Sequence, residues 1–235
     1  MSRAAAAIAL ALALAGPSPG EGPAHHAQAV RPEDLAYVYG VGRFVPEYAP
    51  PAPGTYRLPP IDDIADHPLL RSDGQRTTLY ALTGDRIAIV AFIYTSCADA
   101  TGCPVSTGVL HQLDREIAGD ATLARRVRLV TISFDPARDT PQRLAREREL
   151  HEPRTDWAFA TARDEAELAP LLDDFGQPVA RLRFADGSWT GLYRHVLKLF
   201  LIDAQHRVRN VYSTGFLHPA LILNDLRTVL LERNR

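Results

Sequence analysis

The chain has 235 residues, 46% of them hydrophobic, and carries a formal net charge of −2 with an isoelectric point near 6.4. This apolar share is sufficient for a packed core, and the lack of a basic excess argues against nucleic acid or an anionic membrane surface as a partner. Thiol or metal chemistry would have to be built from the two cysteines and the eight histidines.

The N-terminal segment has the features of a secretory signal. Arg3 precedes an apolar run over residues 4–15, and Gly16 and Pro17 break the helix behind it. The run is shorter than the roughly 20 apolar residues that span a bilayer, so it fits the apolar core of a signal peptide. We therefore predict a signal peptide over residues 1–29 and an exported, periplasmic mature chain without a membrane span. The alternative is an uncleaved leader that serves as an N-terminal anchor.

A stretch rich in proline, glycine and alanine follows the leader. We predict that residues 30–60 form a tether rather than core, because this composition buries too little apolar surface to offset the entropy of ordering. The pattern then changes, and residues 61–235 are predicted to fold as one domain.

Two nearly continuous runs of β-branched and aromatic residues predict the central strands of a sheet. They cover residues 86–95 and 127–134, and such runs are typical of strands that are buried on both faces. A turn over residues 72–75 and a short strand or turn over residues 77–82 are predicted before the first run.

The segment between these two strands predicts an amphipathic helix. Cys103 and Pro104 open it, because proline suits the first helical position, where no amide hydrogen is needed. Apolar residues recur at helical spacing from there to about Ala118. The later elements are predicted in this order: a helix from Pro141 to His151 capped by Thr140, a strand over residues 157–160, a helix from Asp164 to Phe175, a hairpin of residues 196–203 and 207–213, and a helix over residues 219–231.

The order of these elements indicates the fold class. A strand–helix–strand unit followed by a hairpin and a closing helix, joined by right-handed crossovers, gives a sheet that is covered on both sides. We therefore predict an α/β protein with a thioredoxin-like fold, in which a central mixed sheet carries helices on both faces.

Both cysteines flank the loop between the first buried strand and its helix. Sites in open α/β sheets form at the carboxyl ends of strands, and Cys103 lies at a helix N-terminus, which favours an anion. We therefore predict a lowered thiol pKa and a redox-active or metal-binding pair. Two thiolates and an imidazole suit copper better than magnesium or calcium. A structural disulfide is the alternative, although so short a loop would gain little stability from it.

Three segments resemble the Sco/SenC/PrrC family. Residues 92–97 with Cys103 and Pro104 resemble its F-x-Y-T-x-C-x-x-x-C-P segment, and residues 133–141 resemble its S-x-D-P-x-R-D-T-P segment. His195, ahead of the strand that ends in F-L-I-D, resembles the histidine that the family places there. The resemblance covers about residues 69–231.

The resemblance implies a thioredoxin-like metallochaperone that binds a copper ion through Cys97, Cys103 and His195. Family members deliver copper to the CuA centre of cytochrome c oxidase or reduce the cysteines of that centre. The implied partners are an oxidase subunit with a CuA site and a thiol-disulfide reductant. An exported thiol-disulfide oxidoreductase that uses Cys97 and Cys103 as its redox pair is the alternative, so the residues leave open whether the chain is an enzyme.

The chain departs from the family in the loop between its cysteines. Residues 98–102 make five intervening residues where the family has three, and Asp99 among them could add an oxygen ligand. Asp135 and Asp139 follow the second strand at the same sheet end, where they could tune the thiols, orient a partner or form a turn. The remaining histidines considered, which are His111, His151, His206 and His218, show no pairing at ligand spacing and are interpreted as ordinary.

Overall fold

The computed structural model describes residues 50–97, 102–213 and 216–233. The predicted signal peptide and residues 30–49 of the predicted tether lie outside the described residues, as do residues 98–101 of the cysteine loop. No helix in the described ranges is both long and apolar enough to cross a membrane.

Eight strands form the main sheet and two more form a separate hairpin. The strands in chain order are β1 (Asp62–Asp63), β2 (Pro68–Arg71), β3 (Arg76–Thr78), β4 (Ile87–Ile93), β5 (Val127–Ser133), β6 (Trp157–Thr161), β7 (Val179–Arg183), β8 (Trp189–His195), β9 (Lys198–Ile202) and β10 (Arg207–Ser213). The main sheet has the order β1-β10-β9-β4-β5-β6-β2-β3, and β7 pairs with β8. Since β4, β5 and β6 are parallel and β9 is antiparallel to β4, the sheet is mixed.

The helices follow the strands in the predicted alternation. They are α1 (Leu79–Thr83), α2 (Cys103–Ala118), α3 (Ala121–Arg126), α4 (Pro141–His151), α5 (Glu165–Asp174) and α6 (Pro219–Arg233). The bounds of α2 and α4 agree with the prediction, because their first turns carry a clear signal. Pro104 and Pro141 occupy the first turns, and the Thr140 hydroxyl accepts a hydrogen bond from the Arg143 amide at the start of α4.

The central strand β4 is buried on both faces, as its unbroken apolar run predicts. Ile87, Ile89 and Ala91 face a cluster that α2 and α6 help to build, whereas Ala88 and Val90 face a second cluster with residues of α1 and α5. This alternation is the period of two expected for a strand. Helices therefore cover both sides of a mixed sheet, which confirms the predicted α/β thioredoxin-like class.

The sequence pattern missed the β7–β8 hairpin and the short helix α3. In β7, the four residues after Val179 are exposed, and no residue of β8 is fully buried. Strands that bury little surface have a weak hydrophobic period, so the prediction ran directly from α5 to the strand after His195. That strand begins at Lys198, and His195 is the last residue of β8 rather than part of a loop.

The turn between β9 and β10 is built on one buried carboxylate. Asp203 is 1% exposed, and it accepts hydrogen bonds from the Gln205 amide and from the Arg207 and Arg209 guanidinium groups at 2.8–3.0 Å. Burial alone would raise the pKa of Asp203, but the hydrogen bonds from Arg207 and Arg209 outweigh it and hold the pKa below its ordinary value.

We predict that Asp203→Ala lowers the free energy of unfolding by about 2 kcal/mol, because it leaves one buried guanidinium nitrogen of Arg209 without an acceptor, while Arg209 keeps its ion pair with Glu232. Urea denaturation at neutral pH measures this loss. The matched control is Asp186→Ala in the β7–β8 turn, where the carboxylate is exposed and binds only Ser188, and its effect should be a small fraction of that loss. Because the pKa is lowered, the wild-type advantage should be complete above pH 3.8 and vanish as the pH falls further. Equal destabilisation by the two variants would contradict this account.

Candidate metal centre

The cysteine loop begins with a turn at the end of β4. The Cys97 amide donates to the Tyr94 carbonyl at 3.2 Å, so the chain turns back directly after the strand. Cys103 is the first residue of α2 and is buried, while Cys97 is partly exposed. The two are not joined by a disulfide in the structure. The strand and the helix N-terminus therefore place the two sulfurs at the carboxyl edge of the sheet.

His195 approaches the sulfurs from the β7–β8 hairpin. Its Nε2 lies 3.8 Å from the Cys103 Sγ, and its ring packs between Phe134 and Tyr94 with centroid distances of 5.0 and 6.0 Å. The opposite ring nitrogen, Nδ1, is buried without a hydrogen-bond partner. The packing therefore fixes the ring so that one nitrogen faces the thiols.

Three side chains from three chain segments meet at this point. One ligand atom each of Cys97, Cys103 and His195 lies within 4.8 Å of the other two. No other group of three or more histidine, cysteine or acidic side chains meets this criterion within the described ranges. Two sulfurs and one imidazole nitrogen form a donor set that prefers a soft or borderline cation. The structure brings the three together, and their role as ligands stays a prediction.

The predicted low pKa of the thiol at the helix N-terminus is wrong for this pair. A hydrogen bond with the Cys97 side chain and burial both raise the pKa of Cys103 above its ordinary value. Burial, followed by a hydrogen bond with Cys97, likewise raises the pKa of Tyr94. The helix N-terminus favours a thiolate, but burial and a second sulfur at hydrogen-bonding distance outweigh it. Cys103 is therefore held as a neutral thiol.

Asp139 fixes the segment that leads to Cys97. Its carboxylate is fully buried and accepts hydrogen bonds from the Thr95 amide at 2.9 Å, the Thr95 hydroxyl at 2.5 Å and the Ser133 hydroxyl at 2.5 Å. Thr95 lies two residues before Cys97, so this carboxylate ties the start of the cysteine loop to the end of β5.

Asp135 fixes the strand that carries His195. Its buried carboxylate is ion-paired with Arg138 and accepts a hydrogen bond from the Tyr193 hydroxyl at 3.1 Å. Arg138 in turn donates to the Gly191 carbonyl at 2.9 Å, and its guanidinium lies 4.4 Å from the Trp189 ring. The backbone of the same aspartate also forms a turn. The contacts favour a positioning role for both aspartates, and they add Tyr193, which no sequence motif had singled out.

Two histidines that the sequence presents as ordinary lie beside the thiols. His111 Nε2 and His151 Nδ1 are 2.9 Å apart, so the interpretation that these histidines are unpaired is wrong. Both line a cavity of about 300 Å³ that Cys97 and Cys103 also line. The pairing was missed because 40 residues separate the two, and only the packing of α2 against α4 brings them together. Asp99, the possible oxygen ligand, lies outside the described residues.

Comparison with known protein families identifies one matching family. The family model described as SCO1/SenC matches residues 61–231. A comparison with curated protein sequences finds no match.

Solved structures that share the fold include the following three. ScoI from Arabidopsis thaliana, solved with copper bound, is 22% identical with a TM-score of 0.57 over 73% of this chain and 98% of that one. A SCO1/SenC family lipoprotein from Bacillus anthracis is 23% identical with a TM-score of 0.61 over 74% and 99% of the two chains. BsSco, described as a Sco family cytochrome c oxidase assembly protein with a disulfide switch, is 21% identical with a TM-score of 0.55 over 73% and 95%.

We predict that the thiolate of Cys103 forms at lower pH once its neighbour is removed. In Cys97→Ala, the hydrogen bond and the charge that raise the pKa of Cys103 are lost, so its titration should move down toward the ordinary value of 9.0. Thiolate absorbance near 240 nm, recorded against pH for the reduced proteins, measures this shift. The prediction fails if the last thiol of the wild-type protein and the single thiol of the variant titrate at the same pH.

Proposed function

Because the chain belongs to the SCO1/SenC family, we propose that it binds copper through Cys97, Cys103 and His195 and acts in the assembly of a cytochrome c oxidase. The observation that carries the proposal is the meeting of two sulfurs and one imidazole nitrogen within 4.8 Å. The copper-bound ScoI of Arabidopsis thaliana and the assembly role printed for BsSco support the choice of metal and process.

The environment of the three donors suits a cargo that must be both held and released. Cys103 and the packed ring of His195 provide fixed donors, whereas Cys97 is partly exposed and follows a turn rather than a helix or strand. An incoming ligand would therefore meet Cys97 first. Binding replaces the thiol protons by the metal, and a partner's thiols or imidazoles would reverse this stepwise.

We propose the CuA site of an oxidase subunit as the acceptor. Transfer by ligand exchange requires no change in the oxidation state of the protein. In the second mode, the two thiols reduce a disulfide of the acceptor: two electrons and two protons pass to the acceptor, Cys97 and Cys103 form a disulfide, and a thiol-disulfide reductant restores them. Hydrogen bonding between the two thiol side chains supports this mode.

The alternative function is that of an exported thiol-disulfide oxidoreductase, which would make the chain an enzyme. It uses the same two thiols but has no need of a third donor. His195 separates the two functions, since copper binding needs its imidazole and disulfide exchange does not. We favour the copper function because Nε2 of His195 points at the sulfur of Cys103 from a different chain segment.

The proposed setting is the periplasm. A signal peptide over residues 1–29 would direct export, residues 30–60 would tether the domain, and residues 61–235 would carry the site. An N-terminal anchor retained at the membrane would serve the same process, because an oxidase assembly factor must reach a membrane-bound acceptor.

We predict that His195→Ala weakens copper binding more than about 100-fold, since loss of a ligand should exceed the 10–100-fold effect of losing a supporting residue. Titration of the reduced protein in competition with a chelator measures the affinity, and the thiolate-to-copper absorption band reports the site. The control is His206→Asn in the β9–β10 turn, where a positive φ of 62° suits asparagine. Wild-type copper affinity in His195→Ala would refute the ligand assignment, whereas retained thiol exchange is expected.

We predict that oxidation of Cys97 and Cys103 to a disulfide abolishes copper binding at the site of these two thiols and His195, and that a reductant restores it. The disulfide removes both thiolates, and one imidazole alone is a weak site. Copper stoichiometry is measured on the oxidised and re-reduced protein after removal of free metal. Binding of the same amount of copper at this site in both redox states would contradict the proposal.

A further inference from the structure

The cavity beside Cys97 and Cys103 has a second group of metal-binding side chains that the proposed copper site does not use. The helix α2 contributes His111, two turns after its first residue, and α4 contributes Glu147 and His151, one turn apart. All three line the cavity that the cysteines line. The histidines are far apart in sequence, so the packing of the two helices creates the group.

The distance between the histidine nitrogens suits one shared cation. His111 Nε2 and His151 Nδ1 are 2.9 Å apart. Two bonds of about 2.0–2.1 Å, the usual length from a metal to imidazole, span this distance at an angle of about 90°. This is the angle between neighbouring ligands in tetragonal Cu(II) coordination. The helices therefore hold the two nitrogens at chelating distance, and a cation would replace the proton that the rings share in their hydrogen bond.

A carboxylate lies near the far nitrogen of one ring. Glu147 Oε1 lies 3.4 Å from Nε2 of His151, one helical turn along α4. With its proton on Nε2 toward this carboxylate, His151 presents the lone pair of Nδ1 to His111. A carboxylate behind a histidine is the arrangement that supports metal-binding imidazoles.

The protonation state of the His111 and His151 rings also suits metal binding. Burial lowers the pKa of His151, and burial together with the neighbouring His151 lowers the pKa of His111. Both rings are therefore neutral at pH 7, and the neutral imidazole is the form that binds metals.

Aromatic packing explains only part of this arrangement. His151 stacks on Trp157 and Phe159 with centroid distances of 5.5 and 5.7 Å, and His111 meets Trp157 edge to face. Such stacking accounts for the position of the rings. It does not require that a nitrogen of one ring face a nitrogen of the other, or that a carboxylate stand behind His151.

We propose that His111 and His151 form a second metal site, for a divalent first-row cation with Cu(II) bound most tightly, and that Glu147 orients His151 within it. Waters or a ligand of the incoming ion complete the coordination. The preference for Cu(II) follows from the general order of affinities of nitrogen sites. This site goes beyond the proposed function, because it uses neither the sulfurs nor His195.

The test removes the first site and asks whether the second remains. The background is the full-length triple variant Cys97→Ser, Cys103→Ser and His195→Ala, titrated with Cu(II) and followed by electron paramagnetic resonance. We expect one equivalent of nitrogen-bound Cu(II) that disappears when His111→Phe or His151→Phe is added. Phenylalanine keeps the ring packing and removes the nitrogens. Unchanged stoichiometry in both phenylalanine variants would overturn the proposal, as would a background that binds no Cu(II).

Two further variants keep the test decisive if a phenylalanine variant does not fold. Glu147→Gln should weaken Cu(II) binding by the background about 10–100-fold, while Glu149→Gln, an exposed position on the same helix, should leave it unchanged. Equal affinity in the two would overturn the role of Glu147. The outcome is separable from that of the proposed function, which is read from the thiolate-to-copper absorption band of the wild-type protein.

Discussion

Two buried carboxylates after β5 hold the parts of the candidate metal centre in place. Asp139 binds the backbone and side chain of Thr95 at the start of the cysteine loop, and Asp135 binds Arg138 and Tyr193 beneath the strand that carries His195. The sulfurs and the imidazole come from segments with no direct sequence connection. Their meeting therefore depends on hydrogen bonds made behind the site, at one edge of the sheet.

Asp135 and Asp139 each need several hydrogen-bond donors because their carboxylates are buried. A carboxylate removed from water costs several kcal/mol unless it is paired and fully hydrogen-bonded. Both aspartates are fully buried, and each has several donors on different segments. Loss of either side chain would leave those buried donors without acceptors. The free-energy cost of a buried, unpaired donor exceeds the net stability that one hydrogen bond contributes. The β7–β8 hairpin buries little surface of its own, so its attachment through Asp135 and Arg138 adds to the ring packing that keeps His195 facing the thiols.

The cavity at this sheet edge has two chemically different sides. On the sulfur side, the hydrogen bond with Cys97 and burial keep the thiol of Cys103 neutral until a metal displaces its proton. On the nitrogen side, His111 and His151 are held neutral by burial and need lose at most one shared proton. A cation that enters the cavity would therefore meet soft sulfur donors on one side and borderline nitrogen donors on the other. On both sides, burial favours the neutral form of the donor group.

The sequence by itself determined the sheet, most helices and the identity of the three candidate ligands. Continuous apolar runs specify β4 and β5, proline and threonine specify the first turns of α2 and α4, and three motifs point to Cys97, Cys103 and His195. Each of these signals lies within a short stretch of sequence, so it can be recognised without knowledge of the fold. Only the tertiary structure decided the raised pKa of the Cys103 thiol and the pairing of His111 with His151. Those properties depend on burial and on distances between segments far apart in sequence, which no local pattern encodes.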